Sequence, residues 1–337
     1  MINYTEFIEK EKWNHFGEND NYSVLEDDEV KVYFWGCMFE YSDGRYNYDV
    51  LDICRRSLAL TFDFSLLHGY FKVLIIDKKV GRTHLWGDNS GSMGFFVCPD
   101  KGIFSTSLLG LKEMLGEDAK PSYKAIVQLF NDMPYGNRTI VEGINFTGGD
   151  NYFIFDANGI KKKAKNLKPF SKSEGFGMDV LMDGLTACVG KDEVSAVCTG
   201  GTDSRTILAH LLKRKIPFSC VLSGHDTNPD IPIAKELAAA ANAPLTIIDP
   251  SSDDPEWLEK AFVFSDGFYD PVLSYRHYKI STSLKAGPSC FQFGGVGGEF
   301  YKNDYCQFVR NALFVKKQSP KLIYDIILRC ESRPWFG

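Results

Sequence analysis

The chain has 337 residues, of which 44% are hydrophobic, 24% charged and 14% aromatic, and its formal net charge is −6. These values exclude a disordered or fibrous chain, allow two domains of ordinary size, and argue against a general nucleic-acid binder. No apolar run reaches the ~18 residues a membrane helix needs, and Met1-Ile2-Asn3-Tyr4-Thr5-Glu6 is not a charged-then-apolar leader, so a cytoplasmic protein without a membrane or nucleic-acid partner is expected.

Residues 1–165 read as mostly β-structure with two helical interludes. Short alternating or apolar runs such as Val30–Trp35, Tyr70–Ile76, Met93–Val97 and Asn151–Phe155 recur between turn signals, among them Gly87-Asp88-Asn89-Ser90-Gly91 and Asp100-Lys101-Gly102. The stretch from Gly159 to Gly175 carries Lys161, Lys162, Lys163, Lys165, Lys168 and Lys172 with Pro169, and reads as a solvated connector in preference to a basic phosphate-steering patch, with the linker proper at 166–176.

From residue 177 to 337 the period changes to alternating helix and strand. Met178, Leu181, Met182, Leu185 and Val189 fall on one helix face, followed by a strand at 194–198 and a helix with Ile207, Leu208, Leu211 and Leu212 inward. Strands at 217–222 and 245–248 enclose a helix at 230–242. Helices from about 256 and from about 272 to 284 then lead to a strand at 290–293. Such alternation predicts a mostly parallel, doubly wound sheet, whose ligands sit at the carboxyl ends of the strands.

Nine cysteines, at 37, 54, 98, 188, 198, 220, 290, 306 and 330, include no Cys-x-x-Cys pair and read as core residues rather than as a metal or disulfide framework. The chemistry-bearing segment is Thr199-Gly200-Gly201-Thr202-Asp203-Ser204-Arg205, which joins the strand at 194–198 to the next helix. Paired glycines let backbone approach a polyphosphate, and the first helical turn offers unpaired N–H groups to an anion. The loop has no Walker lysine. Its aspartate would repel bare phosphate but suits a Mg²⁺ that neutralises it. A plain strand-to-helix turn capped by Asp203 or Ser204 accounts for the same residues taken alone. A second glycine run, Gly294-Gly295-Val296-Gly297-Gly298-Glu299, follows the strand at 290–293 and falls at the same sheet edge.

Thr199–Ser204 resembles the loop of the ATP pyrophosphatases. Together with Asn228-Pro229-Asp230 opening a helix and with Gly294–Glu299, it resembles the synthetase domain of asparagine synthetases. In the β-rich half, His68–Asp77, Gly87–Gly91, Thr139–Ile144 and Gly148-Gly149-Asp150 resemble landmarks of that family's glutaminase domain. The resemblance implies an α/β chain with an amino-terminal α+β sandwich of the Ntn-hydrolase type, over 1–165. A parallel-sheet ATP-pyrophosphatase (adenine nucleotide alpha hydrolase-like) domain would follow, over 177–337, incomplete at its carboxyl end. It implies ATP and Mg²⁺ as cofactors, Thr199, Gly200, Gly201, Thr202, Asp203, Ser204, Arg205 and Gly295 as ATP and pyrophosphate contacts, and Asp203 and Glu299 as metal ligands. The implied reaction adenylates a small-molecule, peptide or sugar carboxylate and forms an amide with ammonia or an amine.

Three departures shape the expectation. Position 2 is isoleucine where the family's glutaminase exposes its nucleophilic cysteine, and Cys37 lies inside an apolar strand, so no glutamine hydrolysis is expected. Val296 stands where asparagine synthetases carry a loop glutamate, which leaves the acceptor open. Only 38 residues follow Glu299, and none of their lysines matches the family's downstream lysine, so a shortened or non-catalytic relative that binds nucleotide or a partner is the alternative. His225 and Asp230 fall near the same edge, as a loop histidine or ligand contact and as a helix cap or substrate contact respectively.

Overall fold

Strand preference is strongest where β-branched and aromatic residues recur without helix-forming spacing, and two such runs, Val30–Ser42 and Leu67–Asp77, form long paired strands. The computed structural model describes residues 22–131, 137–157, 159–165, 167–168, 177–190, 192–251, 254–283 and 290–294. The chain divides into two compact units, one from Met1–Glu193 with Pro250–Cys290 and one from Val194–Asp249 with Phe291–Gly337. Residues 166–176, the expected linker, lie mainly outside the described residues.

The first unit is built on an antiparallel sheet. Its strands are β1 (Tyr22–Glu26), β2 (Val30–Ser42), β3 (Arg45–Asn47), β4 (Leu67–Asp77), β5 (Arg82–Gly87), β9 (Asn151–Asp156) and β10 (Gly159–Ala164), in the order β1-β2-β4-β5-β9-β10 with β3 folded back on β2. A smaller antiparallel sheet joins β7 (Ile103–Ser105), β6 (Phe96–Cys98) and β8 (Asn145–Phe146). Because side chains alternate across a strand, each face of the large sheet has its own core. Val30, Val32, Phe71, Val73 and Ile75 pack with Ile53 and Cys54 of helix α1 (Val50–Ser57), which Asp49 caps by accepting from the Asp52 N–H at 3.0 Å. On the other face Tyr33, Trp35 and Leu74 pack with Val97 and Phe104 of the small sheet. Each such large side chain contributes roughly 1.5–3 kcal/mol when fully buried.

β2 and β4 approach closely at two glycines. A Cβ on Gly69 would lie 2.2 Å from the Cys37 carbonyl oxygen and one on Gly36 would lie 2.0 Å from that of Tyr70, with φ at +124° and +88° respectively. Only glycine serves there.

Two findings alter the reading of the lysine-rich stretch. Gly159–Ala164 is not connector but strand β10, paired with β9, and its exposed Lys161, Lys162 and Lys163 line the sheet edge, where charge discourages further strand pairing. Lys165 is not solvated but 2% exposed, because its ammonium donates to the carbonyls of Gly87 (2.6 Å) and Asp88 (3.3 Å) and to Asn89 Oδ1 (3.3 Å). Those oxygens belong to the Gly87–Gly91 turn, whose buried Asp88 accepts from the backbone N–H groups of Ser90, Ser92 and Met93.

Helix α2 (Leu108–Leu115) follows the small sheet, α3 (Tyr123–Asn131) comes next, and α4 (Met178–Val189) packs on β2, where Gly184 leaves room for the ring of Phe39. Helices α7 (Trp257–Phe264) and α8 (Pro271–Ser283) complete this unit. The turn between them inserts Phe268 against Phe96 and Phe146, with ring centroids 5.2 and 4.7 Å away. The same turn sends Asp266 to the amino end of α2, where it accepts from Ser107 Oγ (2.7 Å), Leu109 N–H (3.0 Å) and Leu108 N–H. Asp266 itself has φ +54°. Three charge-assisted hydrogen bonds to the first turn of a helix offset the cost of that conformation.

The second unit holds a sheet in the order β13-β12-β11-β14, from β11 (Glu193–Val197), β12 (Ser219–Ser223), β13 (Leu245–Ile248) and β14 (Cys290–Phe293). β11, β12 and β13 are parallel, with Ala196 opposite Cys220 and Val221 opposite Thr246. Their connections contain α5 (Thr202–Lys213) and α6 (Asp230–Ala240). The architecture is therefore mixed α/β with a parallel sheet, as the alternation predicts. Among the described residues no helix is long and apolar enough to cross a membrane.

Candidate functional site

The carboxyl ends of β11, β12 and β13 bring together the loops 198–201, 224–229 and the residues after 248. β11 is a buried run, Val194, Ser195 and Ala196, and it ends where Gly200 and Gly201 remove side chains and release the chain into α5. Gly201 is the N-cap of α5 and supplies no side chain to the first helical turn, so that turn carries the amino-terminal partial charge of the helix toward the loop.

Thr199–Arg205 thus forms one strand–loop–helix junction. Ser204 is buried, and its hydroxyl sits 2.9 Å from the Thr199 carbonyl oxygen and 3.1 Å from that of Gly201, while accepting from the Thr199 N–H at 3.2 Å. Its Oγ is also 2.9 Å from Thr199 Oγ1, which accepts from the Gly201 N–H at 3.2 Å. These short-range bonds fix the loop from within. Gly201, Thr202 and Arg205 are exposed, whereas Thr199, Gly200 and Asp203 are half-buried.

Asp230 opens α6 and reaches back to this loop, with its Oδ1 accepting from the Gly200 N–H at 3.1 Å. A Cβ on Gly200 would meet that Oδ1 and Ile233 Cδ1 at 2.8 Å each, so the second position of the loop is glycine for close passage of α6. Asp230 therefore bonds to the glycine loop, while its own N–H donates to Asn228 Oδ1 at 2.9 Å. As the first residue of α6, Asp230 is expected to cap its own helix or to contact a substrate, and its carboxylate instead meets the Gly200 N–H. The signal that could have found the pairing is Pro229, which starts a helix beside the strand end.

His225 follows β12 and its Nδ1 lies 3.1 Å from Asp249 Oδ1 at the end of β13. Both side chains are 63% exposed, so the pair fixes the imidazole weakly. Asp249 had no distinguishing signal in the sequence. Cys198, just past the end of β11, and Cys220 of β12 are both buried; burial pushes both thiols up, Cys220 to about 12, which keeps them neutral and unreactive. In the first unit Cys37 is buried within β2; a hydrogen bond from Cys188 of α4 lowers its thiol pKa and raises that of Cys188.

Gly295 and Glu299 of the second glycine run lie outside the described residues. Among the described residues no group of three or more His, Cys, Asp or Glu side chains could hold a metal ion. Mg²⁺ commonly takes one or two protein carboxylates and completes its shell with phosphate oxygens and water; Asp203 is a half-buried carboxylate on the first turn of α5.

No family model matches the chain, and no curated protein matches it. Among solved structures it is similar to a glutamine-dependent NAD+ synthetase from Acinetobacter baumannii in complex with ADP, at 13% identity and a TM-score of 0.29. The match covers 90% of this chain and 66% of the other, so the chain spans just under two thirds of that protein. So distant a likeness fixes neither fold nor activity.

Proposed function

We propose that the Thr199–Arg205 loop binds the phosphates of ATP and that the chain is an ATP-dependent ligase that adenylates a carboxylate. The observation that carries this reading is a glycine–glycine loop at the carboxyl end of a parallel strand, opening a helix with no side-chain cap. In the reaction a carboxylate oxygen attacks the α-phosphorus, the α–β bridging bond breaks and pyrophosphate leaves. Ammonia or an amine then attacks the acyl carbon, AMP departs, and the nitrogen loses a proton to complete the amide.

The first turn of α5 and the exposed Gly201 and Thr202 would receive the β- and γ-phosphates, and Arg205 would add charge to the departing pyrophosphate. Asp203 would hold Mg²⁺, whose charge neutralises the phosphates when bound. In this reading Glu299 is the second acidic ligand and Gly295 a backbone contact. Asparagine-synthetase-like specificity belongs to the same proposal and rests on the motifs alone.

A second reading, a relative that binds nucleotide or a partner without catalysis, is favoured by one observation. The Asp230 carboxylate occupies the Gly200 N–H that a phosphate would otherwise use. Calorimetric titration of the full chain with ATP, with and without Mg²⁺, tests the first reading. Tight binding should require Mg²⁺ and fall at least about tenfold in Asp203→Ala, the scale of one charge-assisted contact. Equal affinity in the variant would remove Asp203 from the metal site. Binding without pyrophosphate release across a range of carboxylates would favour the second reading.

A further inference from the structure

Helix α4 is fastened to the large sheet along one stripe of its surface. The Tyr46 hydroxyl of β3 donates to the Val180 carbonyl at 3.1 Å, a Cβ on Gly184 would stand 2.2 Å from Phe39 Cζ, and Cys188 Sγ lies 3.6 Å from the Met38 carbonyl oxygen. Positions 180, 184 and 188 are four apart, so they share one face of the helix. On β2, Cys37 and Phe39 continue the face of Tyr33 and Trp35, opposite to the face of Val32 and Met38. The strand thus turns Cys37 to the helix that Phe39 meets, and the thiol of Cys188 hydrogen-bonds to it.

The two sulfurs differ in character. Cys37 is 6% exposed, yet the hydrogen bond from Cys188 outweighs burial and, with one from the Tyr70 N–H, holds its thiol below the ordinary range. Cys188 is half-buried and keeps its proton. One sulfur is therefore suited to be a nucleophile and its neighbour to be the resolving thiol. Cys198 and Cys220 also share a hydrogen bond, but both are buried and both are pushed up, as is buried Cys54. On the sheet side the pair is fixed by the close passage of Gly69 against the Cys37 carbonyl. On the helix side Cys188 stands in the last turn, just before Gly190 at φ +62°, where a small adjustment costs least.

We propose that Cys37 and Cys188 form a reversible disulfide when the chain meets hydrogen peroxide. The Cys37 thiolate attacks one peroxide oxygen, the O–O bond breaks, and the departing hydroxide regains the proton that Cys37 gave up and becomes water. The Cys188 sulfur then attacks the sulfur of the Cys37 sulfenic acid, loses its proton, and the hydroxyl leaves as a second water. Two thiols lose two electrons and the peroxide gains them. The new bond ties the end of α4 to β2, shortly before β11 begins at Glu193. It needs no nucleotide and draws on no residue of the Thr199–Arg205 loop, so it stands or falls apart from the ATP reading.

The test is to expose the reduced full chain to hydrogen peroxide, block free thiols with N-ethylmaleimide, and map the unreduced digest by mass spectrometry. The Cys37 and Cys188 peptides should appear joined, two hydrogen atoms lighter than their sum, and should separate on adding dithiothreitol. The joined species should form at least about tenfold faster than oxidation of Cys54 or a Cys198–Cys220 bond. Cys188→Ser keeps a hydroxyl to donate to Cys37 but has no sulfur to close the bond, so dimedone should capture Cys37 as its sulfenic acid. Should that variant lose its near-ultraviolet circular dichroism, dimedone present during oxidation of the wild-type chain should label Cys37 in competition with the disulfide. Cys37 and Cys188 blocked separately while other cysteines oxidise, either of them paired with a third cysteine, or a Cys37–Cys188 bond that forms only in urea would overturn the proposal.

Discussion

Replacing Asp230 with asparagine asks whether the glycine loop is held shut against anions. Asp230 Oδ1 lies 3.1 Å from the Gly200 nitrogen, so a phosphate oxygen sharing that N–H would stand roughly 4.5 Å from the carboxylate. At an effective dielectric of about 20, two unit charges at that distance repel by about 3.7 kcal/mol. Asp230 is half-buried, and solvent and salt reduce the effect to about 1.4 kcal/mol, or tenfold in affinity. Asparagine keeps an oxygen for the Gly200 N–H and keeps the backbone bond to Asn228, so the loop should retain its shape. Titration of wild-type and Asp230→Asn chains with ATP at low and high salt should show about tenfold tighter binding in the variant, with the gain shrinking as salt rises. Unchanged or weaker binding would refute the argument, and weaker binding would make Asp230 a metal-side ligand instead.

Two further outcomes concern the first unit. Asp266→Asn keeps one acceptor oxygen but turns an amide toward the Leu108 N–H, so it should cost about 2–4 kcal/mol in urea unfolding; a loss under about 0.5 kcal/mol would mean the α2 cap is dispensable. Burial lowers the Lys165 ammonium from 10.5 to about 8, so below pH 8 its charge costs the native state up to about 3 kcal/mol, reduced by its three oxygen partners. Between pH 8 and 10.5 the unfolded chain holds that proton and the native chain does not, so this cost is relieved as pH rises. The stability of the wild type relative to Lys165→Met should therefore climb between pH 7.5 and 9.5, and parallel urea curves would count against it.

Much of this architecture is legible in local pattern. The strand at 245–248 and the helix onset near 230 have clear boundaries because Pro244 and Pro229 punctuate them, and the period change near 177 marks the start of α4. The glycine loop is legible because strand, loop and helix are contiguous in sequence. Lys165 was misread because a run of lysines looks solvated, and nothing local shows that three oxygens of a turn about 77 residues earlier receive its ammonium. Asp266 escaped for the same reason, since its donors lie 157 to 159 positions away. The bond between Asp230 and Gly200 was missed at only 30 positions, because a helix-opening aspartate reads as its own cap.

The Asp266 cap also sets an order of events during synthesis. The first unit is interrupted by Val194–Asp249 and resumes at Pro250. A ribosome adding about 5–20 residues each second needs roughly 4–15 s to travel from Glu193 to Asp266. Throughout that interval the nascent β-sheets carry an α2 whose leading N–H groups lack their carboxylate, and a Phe96–Phe146 pair still open to water where Phe268 will lie. The parallel strands β11, β12 and β13 emerge before their host is finished, so a stall within that window would release a chain with exposed aromatic surface, the species that chaperones and proteases act on.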